Sequence, residues 1–185
     1  MTDRYVVIGN PVEHSRSPLI HAEFARQTAQ DIDYGRLLAP LDGFEQTVNA
    51  FREGGGRGAN VTLPFKLEAF AFAQERTARA QAAGAVNTLL ISDDRIIGDN
   101  TDGVGLVRDI QINAGIPLAD KRVLLLGAGG AAQGVILPLL EQGPACITLC
   151  NRTLSKAEHL VRQFAHPRLH ACALDVLTEI GRAHV

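Results

Sequence analysis

A glycine-rich turn caught between two apolar segments leaves this chain few ways to fold. The apolar run Arg122–Leu126 ends in Gly127-Ala128-Gly129-Gly130-Ala131-Ala132-Gln133-Gly134, and Val135, Ile136, Leu139 and Leu140 continue it at helical spacing before a second run at Cys146–Cys150. Strand, turn, helix and strand in that order predict a βαβ unit. The spacing Gly127-x-Gly129-x-x-Ala132 predicts what the turn does. Gly127 permits a tight strand-to-helix turn, Gly129 lets backbone approach a pyrophosphate, and Ala132 allows close helix–strand packing. The start of the helix adds unpaired N–H groups and a positive dipole for the phosphate. Glycine-rich turns also serve simple packing, but this one sits where a dinucleotide loop belongs.

The residues after the second strand set the nucleotide type. An NAD site would place Asp or Glu there to accept from the ribose 2′-hydroxyl. This chain instead has Asn151-Arg152-Thr153, with Ser155 and Lys156 just beyond. A guanidinium flanked by hydroxyls suits a 2′-phosphate, which a carboxylate would repel. NADP is therefore the expected cofactor, held by Gly127, Ala128, Gly129, Gly130, Ala131, Asn151, Arg152 and Thr153. A solvated loop arginine is the plain structural alternative.

Upstream the chain alternates in a similar way. Arg4–Gly9 predicts a strand stopped by Gly-Asn-Pro, and Ser17-Pro18 caps a helix from Leu19 to about Thr28. Tyr34–Ala39 predicts a second strand. Asp42-Gly43 opens a helix with Phe44, Val48 and Phe51 on one face, stopped by Gly54-Gly55-Gly56. Gly58–Thr62 predicts a third strand, and Pro64 starts a helix carrying Phe65, Ala69, Phe70 and Ala73. Val86–Ile91 and Arg95–Ile97 predict a hairpin. A helix is expected from Asp102 to about Ala114, and a third strand of the nucleotide unit at about Leu169–Leu174. The result is an α/β domain over 1–101 and a Rossmann-type domain over 102–178.

Composition narrows the function classes. Eighteen Lys+Arg against twenty Asp+Glu, a net charge of −2, give no basic field for nucleic acid. No apolar run approaches the ~20 residues of a membrane helix, and the start lacks a signal-peptide pattern, so a cytoplasmic protein is expected. Three cysteines argue against a disulfide framework, and Cys146 and Cys150 are read as core thiols. The six histidines are not read as a metal site.

Taken together, several segments resemble the shikimate dehydrogenases. They are Gly9-Asn10-Pro11-Val12-Glu13-His14-Ser15-Arg16-Ser17-Pro18, Asn60-Val61-Thr62-Leu63-Pro64-Phe65-Lys66, Gly84-Ala85-Val86-Asn87-Thr88, Gly98-Asp99-Asn100-Thr101-Asp102-Gly103, the glycine loop, and Asn151-Arg152-Thr153, and the match runs over about residues 4 to 175. The resemblance implies an N-terminal α/β substrate domain followed by a Rossmann-type NADP-binding domain. It implies NADPH-dependent, reversible reduction of 3-dehydroshikimate to shikimate, a step toward the aromatic amino acids. Ser15 and Ser17 would bind the substrate carboxylate, a task suited to short hydroxyls at a helix N-terminus. Lys66 would be catalytic, paired with Asp102. A lysine in the first turn of a helix is otherwise disfavoured by the dipole, although surface lysines are common. As the ketone is reduced, Lys66 would donate a proton to its oxygen; in reverse, the neutral amine would accept one. Asp102 would orient the ammonium and accept from a substrate hydroxyl. Asn60, Thr62 and Asn87 would contact ring hydroxyls, though Asn and Thr at strand ends also serve turns. Glu13, His14, Asp99 and Asp109 are read as solvated or local structural groups.

Two features depart from the family. Its members are longer, so the chain is expected to be an N-terminal fragment whose nucleotide domain lacks half its sheet, with a homodimer as the assembly of a full-length form. The tail Glu179-Ile180-Gly181-Arg182-Ala183-His184-Val185 resembles nothing in the family at that point; its last six residues can be encoded by a sequencing-adapter sequence, and 179–185 is expected to be non-native. Two alternatives stay open. One is an NAD-dependent quinate/shikimate dehydrogenase, disfavoured by the lack of an acid near Arg152 and by serine rather than threonine at position 17. The other is a non-catalytic domain that binds shikimate-like ligands or nucleotide, disfavoured by Lys66 and Asp102.

Overall fold

The computed structural model of the protein describes residues 2–92 and 94–176; the tail at 179–185 lies outside the described residues. The chain divides between Thr101 and Asp102 into two compact units, each with its own sheet.

In unit 1 the elements run β1 (Asp3–Gly9), α1 (Ser17–Thr28), β2 (Ile32–Leu38), α2 (Phe44–Glu53), β3 (Gly56–Val61), α3 (Lys66–Phe72), β4 (Glu75–Arg76), α4 (Ala78–Ala83), β5 (Thr88–Ile91) and β6 (Ile96–Asp99). The strands form one sheet in the order β2-β1-β3-β5-β6-β4. β1, β2 and β3 are parallel, and β5 runs antiparallel to both β3 and β6. Alternate residues point to opposite faces. One face carries Val6, Ile8, Ala59, Val61, Leu89, Ile91 and Ile96, all buried with Phe44, Val48 and Phe51 of α2 and with Phe65 and Ala69 at α3. The Phe44 and Phe65 rings stack there with centroids 5.1 Å apart. The opposite face carries the polar residues Tyr34, Arg36, Asn60 and Thr88.

Several boundaries depart from the sequence expectation, each for a local reason. Ser17 does not cap α1: the cap position is Arg16, with no side-chain cap, and Ser17 is the first helical residue. Its hydroxyl is engaged with Ser15 instead. α3 starts at Lys66 rather than Pro64, because the Phe65 N–H closes a turn on the Thr62 carbonyl at 3.1 Å. β4 and α4 are too short to leave a periodic pattern.

Unit 2 runs α5 (Asp102–Arg108), a π turn (Asp109–Asn113), β7 (Arg122–Leu126), α6 (Gly130–Leu140), β8 (Cys146–Asn151), α7 (Leu154–Phe164) and β9 (Leu169–Ala173). The expected single helix to Ala114 therefore widens after Arg108. The Ala114 N–H reaches the Asp109 carbonyl at 3.0 Å, and the Asn113 side chain donates to Asp109 Oδ1 at 2.6 Å. β7, β8 and β9 are parallel, in that order. Val107, Leu118, Ala132, Ile136, Leu139, Ile147, Leu149, Ala157, Leu160 and Leu169 form the core.

α5 packs closely on α6. A Cβ added at Gly103 would lie 2.5 Å from the Gly134 carbonyl oxygen and 2.7 Å from Pro138 Cγ. Pro138 has no N–H, so that carbonyl loses its usual helical donor where the two helices meet. Glycine at 103 is what permits the approach.

Candidate active site

The substrate-side residues gather at the C-terminal ends of β1 and β3 and the start of β5. Ser15 lies in the turn that leads from β1 into α1, and Ser17 is the first residue of α1. The Ser15 hydroxyl donates to Ser17 Oγ at 3.2 Å and accepts the Ser17 N–H at 3.3 Å, so the two hydroxyls face one spot. Arg36, on β2, clamps this turn by donating twice to the Ser15 carbonyl, at 2.9 and 2.6 Å. Nothing in the sequence pattern singles out Arg36.

Asn60 ends β3 beside Val61, and its neighbour across the ladder is Thr88. Asn60 Oδ1 accepts from the Tyr34 hydroxyl at 2.6 Å, and its amide nitrogen donates to Thr88 Oγ1 at 3.4 Å. Thr88 in turn donates to Asn87 Oδ1 at 2.9 Å. Asn87 is 8% exposed, and its oxygen also accepts the Thr101 N–H at 3.0 Å. Its amide nitrogen donates to Thr101 Oγ1 at 3.1 Å. Thr62 is half-buried, its N–H on the Ile8 carbonyl at 2.9 Å.

Lys66 opens α3 in the same unit. Its carbonyl accepts the Val86 N–H at 2.9 Å, which fixes the start of the helix against the segment that leads through Asn87 into β5. The loop after β6 is held by Asp99, which accepts from Thr77 at 2.6 Å, from the Asn100 N–H at 2.7 Å and from both arms of Arg79. Burial alone would push the Asp99 carboxyl up. The bonds from Arg79, Thr77 and Asn100 outweigh it and hold the group below the usual carboxylate range. Asn100 is buried and donates to the Ala85 carbonyl at 3.1 Å. Asp99 and Asn100 thus build the frame from which Asp102 follows.

Asp102 is the exposed first residue of α5 in unit 2, where a carboxylate also complements the helix dipole. The glycine loop leaves β7 through Gly127, whose φ of +107° is a conformation L side chains rarely adopt. The Gly127 N–H bonds the Cys150 carbonyl at 2.7 Å, so the loop sits beside the end of β8. A Cβ built at Gly127, Gly129 or Gly130 would meet no atom within 4 Å. Open space therefore lies over the N-terminus of α6, where Ala128 leads in and Ala131 is exposed. Ala132 is buried against the sheet. Asn151 ends β8 and donates to the Thr153 carbonyl at 2.8 Å, shaping the turn that leaves Arg152 and Thr153 exposed. These residues fit the adenosine 2′-phosphate and pyrophosphate of an NADP: unobstructed backbone N–H groups at one strand end, a guanidinium at the next.

Cys150 is buried and Cys146 half-buried in β8. His166 and His170 stand four apart, a spacing the sequence reading passed over. His166 lies in a turn, its Nδ1 accepting the Arg168 N–H at 3.2 Å, while His170 lies in β9. Among the described residues, no group of three or more His, Cys, Asp or Glu could hold a metal ion, and no helix is long and apolar enough to cross a membrane.

Residues 7–89 match the shikimate dehydrogenase substrate binding domain model, and residues 110–184 the shikimate / quinate 5-dehydrogenase model. A shikimate dehydrogenase (NADP(+)) of Nitrosospira multiformis is 64% identical over 165 residues, covering 89% of this chain and 60% of that protein. One of Aromatoleum aromaticum is 60% identical over 183 residues, covering 98% and 64%. Among solved structures, the Thermus thermophilus shikimate 5-dehydrogenase in complex with NADP(H) and shikimate superposes with a TM-score of 0.84 at 35% identity, covering 96% of this chain and 66% of that one. An Ael1 enzyme from Pseudomonas putida gives 0.94 at 48% identity, covering 96% and 65%. The chain therefore spans about three fifths to two thirds of the length of these proteins. With a substrate-domain match and a nucleotide-domain match in order along one sequence, and relatives above 60% identity, the chain belongs to the shikimate dehydrogenase family.

Proposed function

We propose that the protein carrying this chain catalyses the reversible NADPH-dependent reduction of 3-dehydroshikimate to shikimate. One observation carries this most: unit 1 holds Ser15 and Ser17 paired through their hydroxyls and Asn60 and Asn87 joined through Thr88, and the Lys66 carbonyl ties to Val86 in the segment that leads through Asn87 into β5. A carboxylate pairs with the two serine hydroxyls at the start of α1, aided by the helix dipole. The ring hydroxyls meet Asn60, Thr62 and Asn87, of which Asn87 is buried and the other two half-buried, so a deoxygenated analogue loses hydrogen bonds there.

Bound NADPH supplies the hydride. The chain's own part is to place the ketone and to move a proton. Lys66 Nζ, as ammonium, donates to the ketone oxygen while the carbonyl carbon is reduced, and ends as a neutral amine. In the oxidative direction the amine takes the hydroxyl proton. Asp102 is assigned to orient the ammonium and to accept from a neighbouring substrate hydroxyl. Gly127 to Ala131 hold the pyrophosphate with backbone N–H groups, and Asn151, Arg152 and Thr153 hold the 2′-phosphate. Arginine where an NAD site has an acid favours NADP.

Calorimetric titration of shikimate into the 185-residue chain tests the substrate half. Saturable binding is expected, weakened at least tenfold by Ser15→Ala with Ser17→Ala, about the worth of two hydrogen bonds to a charged group. Binding indifferent to both serines would remove the carboxylate assignment.

A further inference from the structure

We infer that Tyr34 is a positioning residue for the substrate, a role that rests on the substrate assignment above. Tyr34 stands on β2, outside every motif, yet it joins the two ends of the site, Asn60 directly and Ser17 through His21. Its hydroxyl donates to Asn60 Oδ1 at 2.6 Å. Its ring stacks on His21, with centroids 3.9 Å and planes 10° apart, and His21 Nδ1 lies 2.9 Å from the Ser17 carbonyl.

A phenol has one proton and two lone pairs. Spending the proton on Asn60 decides which end of that amide is which: the oxygen faces Tyr34, and the nitrogen turns toward Thr88 and any hydroxyl beside it. Side-chain amides have no such preference of their own. The stack on His21, whose Nδ1 meets the Ser17 carbonyl, then sets the spacing between the hydroxyls that meet a carboxylate and the amide that meets a ring hydroxyl. A rigid ring held by a stack is well suited to fix that distance. Burial pushes the Tyr34 phenol up to about 12, against a smaller opposing effect of Ser17, so it remains a neutral donor at working pH. Tyr34, His21, Asn60 and Thr88 also share the wall of a cavity of about 410 Å³ in unit 1. Loss of the hydroxyl would thus leave Asn60 facing open space rather than a closing neighbour.

The test compares the 185-residue chain with Tyr34→Phe, which keeps the ring and its stack, and with Tyr5→Phe, which removes the hydroxyl of the residue paired beside it on the same sheet face. Each is titrated with shikimate and with 1-cyclohexene-1-carboxylate, which has the carboxylate but no ring hydroxyls. Tyr34→Phe should weaken shikimate about five- to fifty-fold, the range for an unpaired buried amide, and weaken the bare carboxylate severalfold less. Tyr5→Phe should change neither by more than about twofold. Unchanged shikimate binding, or equal loss of both ligands, would overturn the role. In ¹⁵N-resolved spectra without ligand, Tyr34→Phe should shift the Asn60 side-chain amide, whose oxygen loses its donor. If the unmodified chain binds no shikimate, the substrate assignment fails. The Tyr34 link itself then stands on that shift and falls if it does not appear.

Discussion

At the end of β8, Arg152 is exposed beside Thr153, next to a glycine loop with open space above it. Its charge is the main reason to expect a 2′-phosphate there. Arg152→Asp should weaken 2′,5′-ADP by about 10–150-fold, as for a lost charge-assisted bond of about 1.5–3 kcal/mol, and leave 5′-AMP nearly unchanged in the same titration. Equal loss of both would make Arg152 structural. Asp99 carries a different prediction. Its folded carboxyl sits below the ordinary value, so its contribution to stability is present above the unfolded pKa of about 4 and is lost as pH falls through the folded one. Asp99→Asn should cost about 1–2 kcal/mol at pH 7, a value kept low because the Arg79 side chain is 38% exposed. The gap between the two proteins in thermal melts should narrow as pH falls below about 4 and close once it is below the folded value. A gap that persists there would mean that the ion pair is not its source. At this scale the sequence shows the residues whose chemistry recurs in motifs. It does not show Arg36 or Tyr34, which matter through partners on other elements, so their role depends on strand order and register.

Among the elements, the β7–α6–β8 unit is the most legible, because its apolar runs are long and its glycine spacing has one economical explanation. α2 is legible for the same reason: Phe44, Val48 and Phe51 fall on one face and are buried. β4 and α4, two and six residues long, are below the length at which periodicity speaks. The π turn at Asp109–Asn113 is likewise invisible, since it depends on which carbonyl the Ala114 N–H selects. The α5–α6 contact makes a paired prediction. Gly103→Ala drives a methyl to 2.5 Å from a backbone oxygen; helix backbones cannot yield much, so about 1–3 kcal/mol of overpacking should exceed the ~1 kcal/mol gained in helix propensity. Gly105→Ala, on the same helix with nothing within 4 Å, should stabilise by about 0.5–1 kcal/mol. Melting temperatures that move in the same direction for both would refute the close crossing.

Over the whole molecule, the proposed chemistry is divided between the two units. On that proposal unit 1 supplies donors and acceptors for a hydroxylated carboxylate, and unit 2 a phosphate loop and a cation. Within the three-stranded sheet, β7 bears the glycine loop and lies at an edge among the described residues, with Leu124 and Leu126 exposed. Rossmann-type sheets place that strand centrally, with the nucleotide across the switch point beside it. Turnover is therefore best measured on a chimera in which residues 1–176 are continued by the remaining length of the Nitrosospira multiformis relative. The decisive measurement is shikimate-dependent NADP⁺ reduction, followed by absorbance, with and without Lys66→Ala. The chimera should turn over, and Lys66→Ala should lower kcat by ~10²–10⁴-fold, the usual worth of a general acid–base group, with shikimate binding changed far less. An active chimera whose Lys66→Ala variant keeps more than a tenth of that kcat would contradict the account.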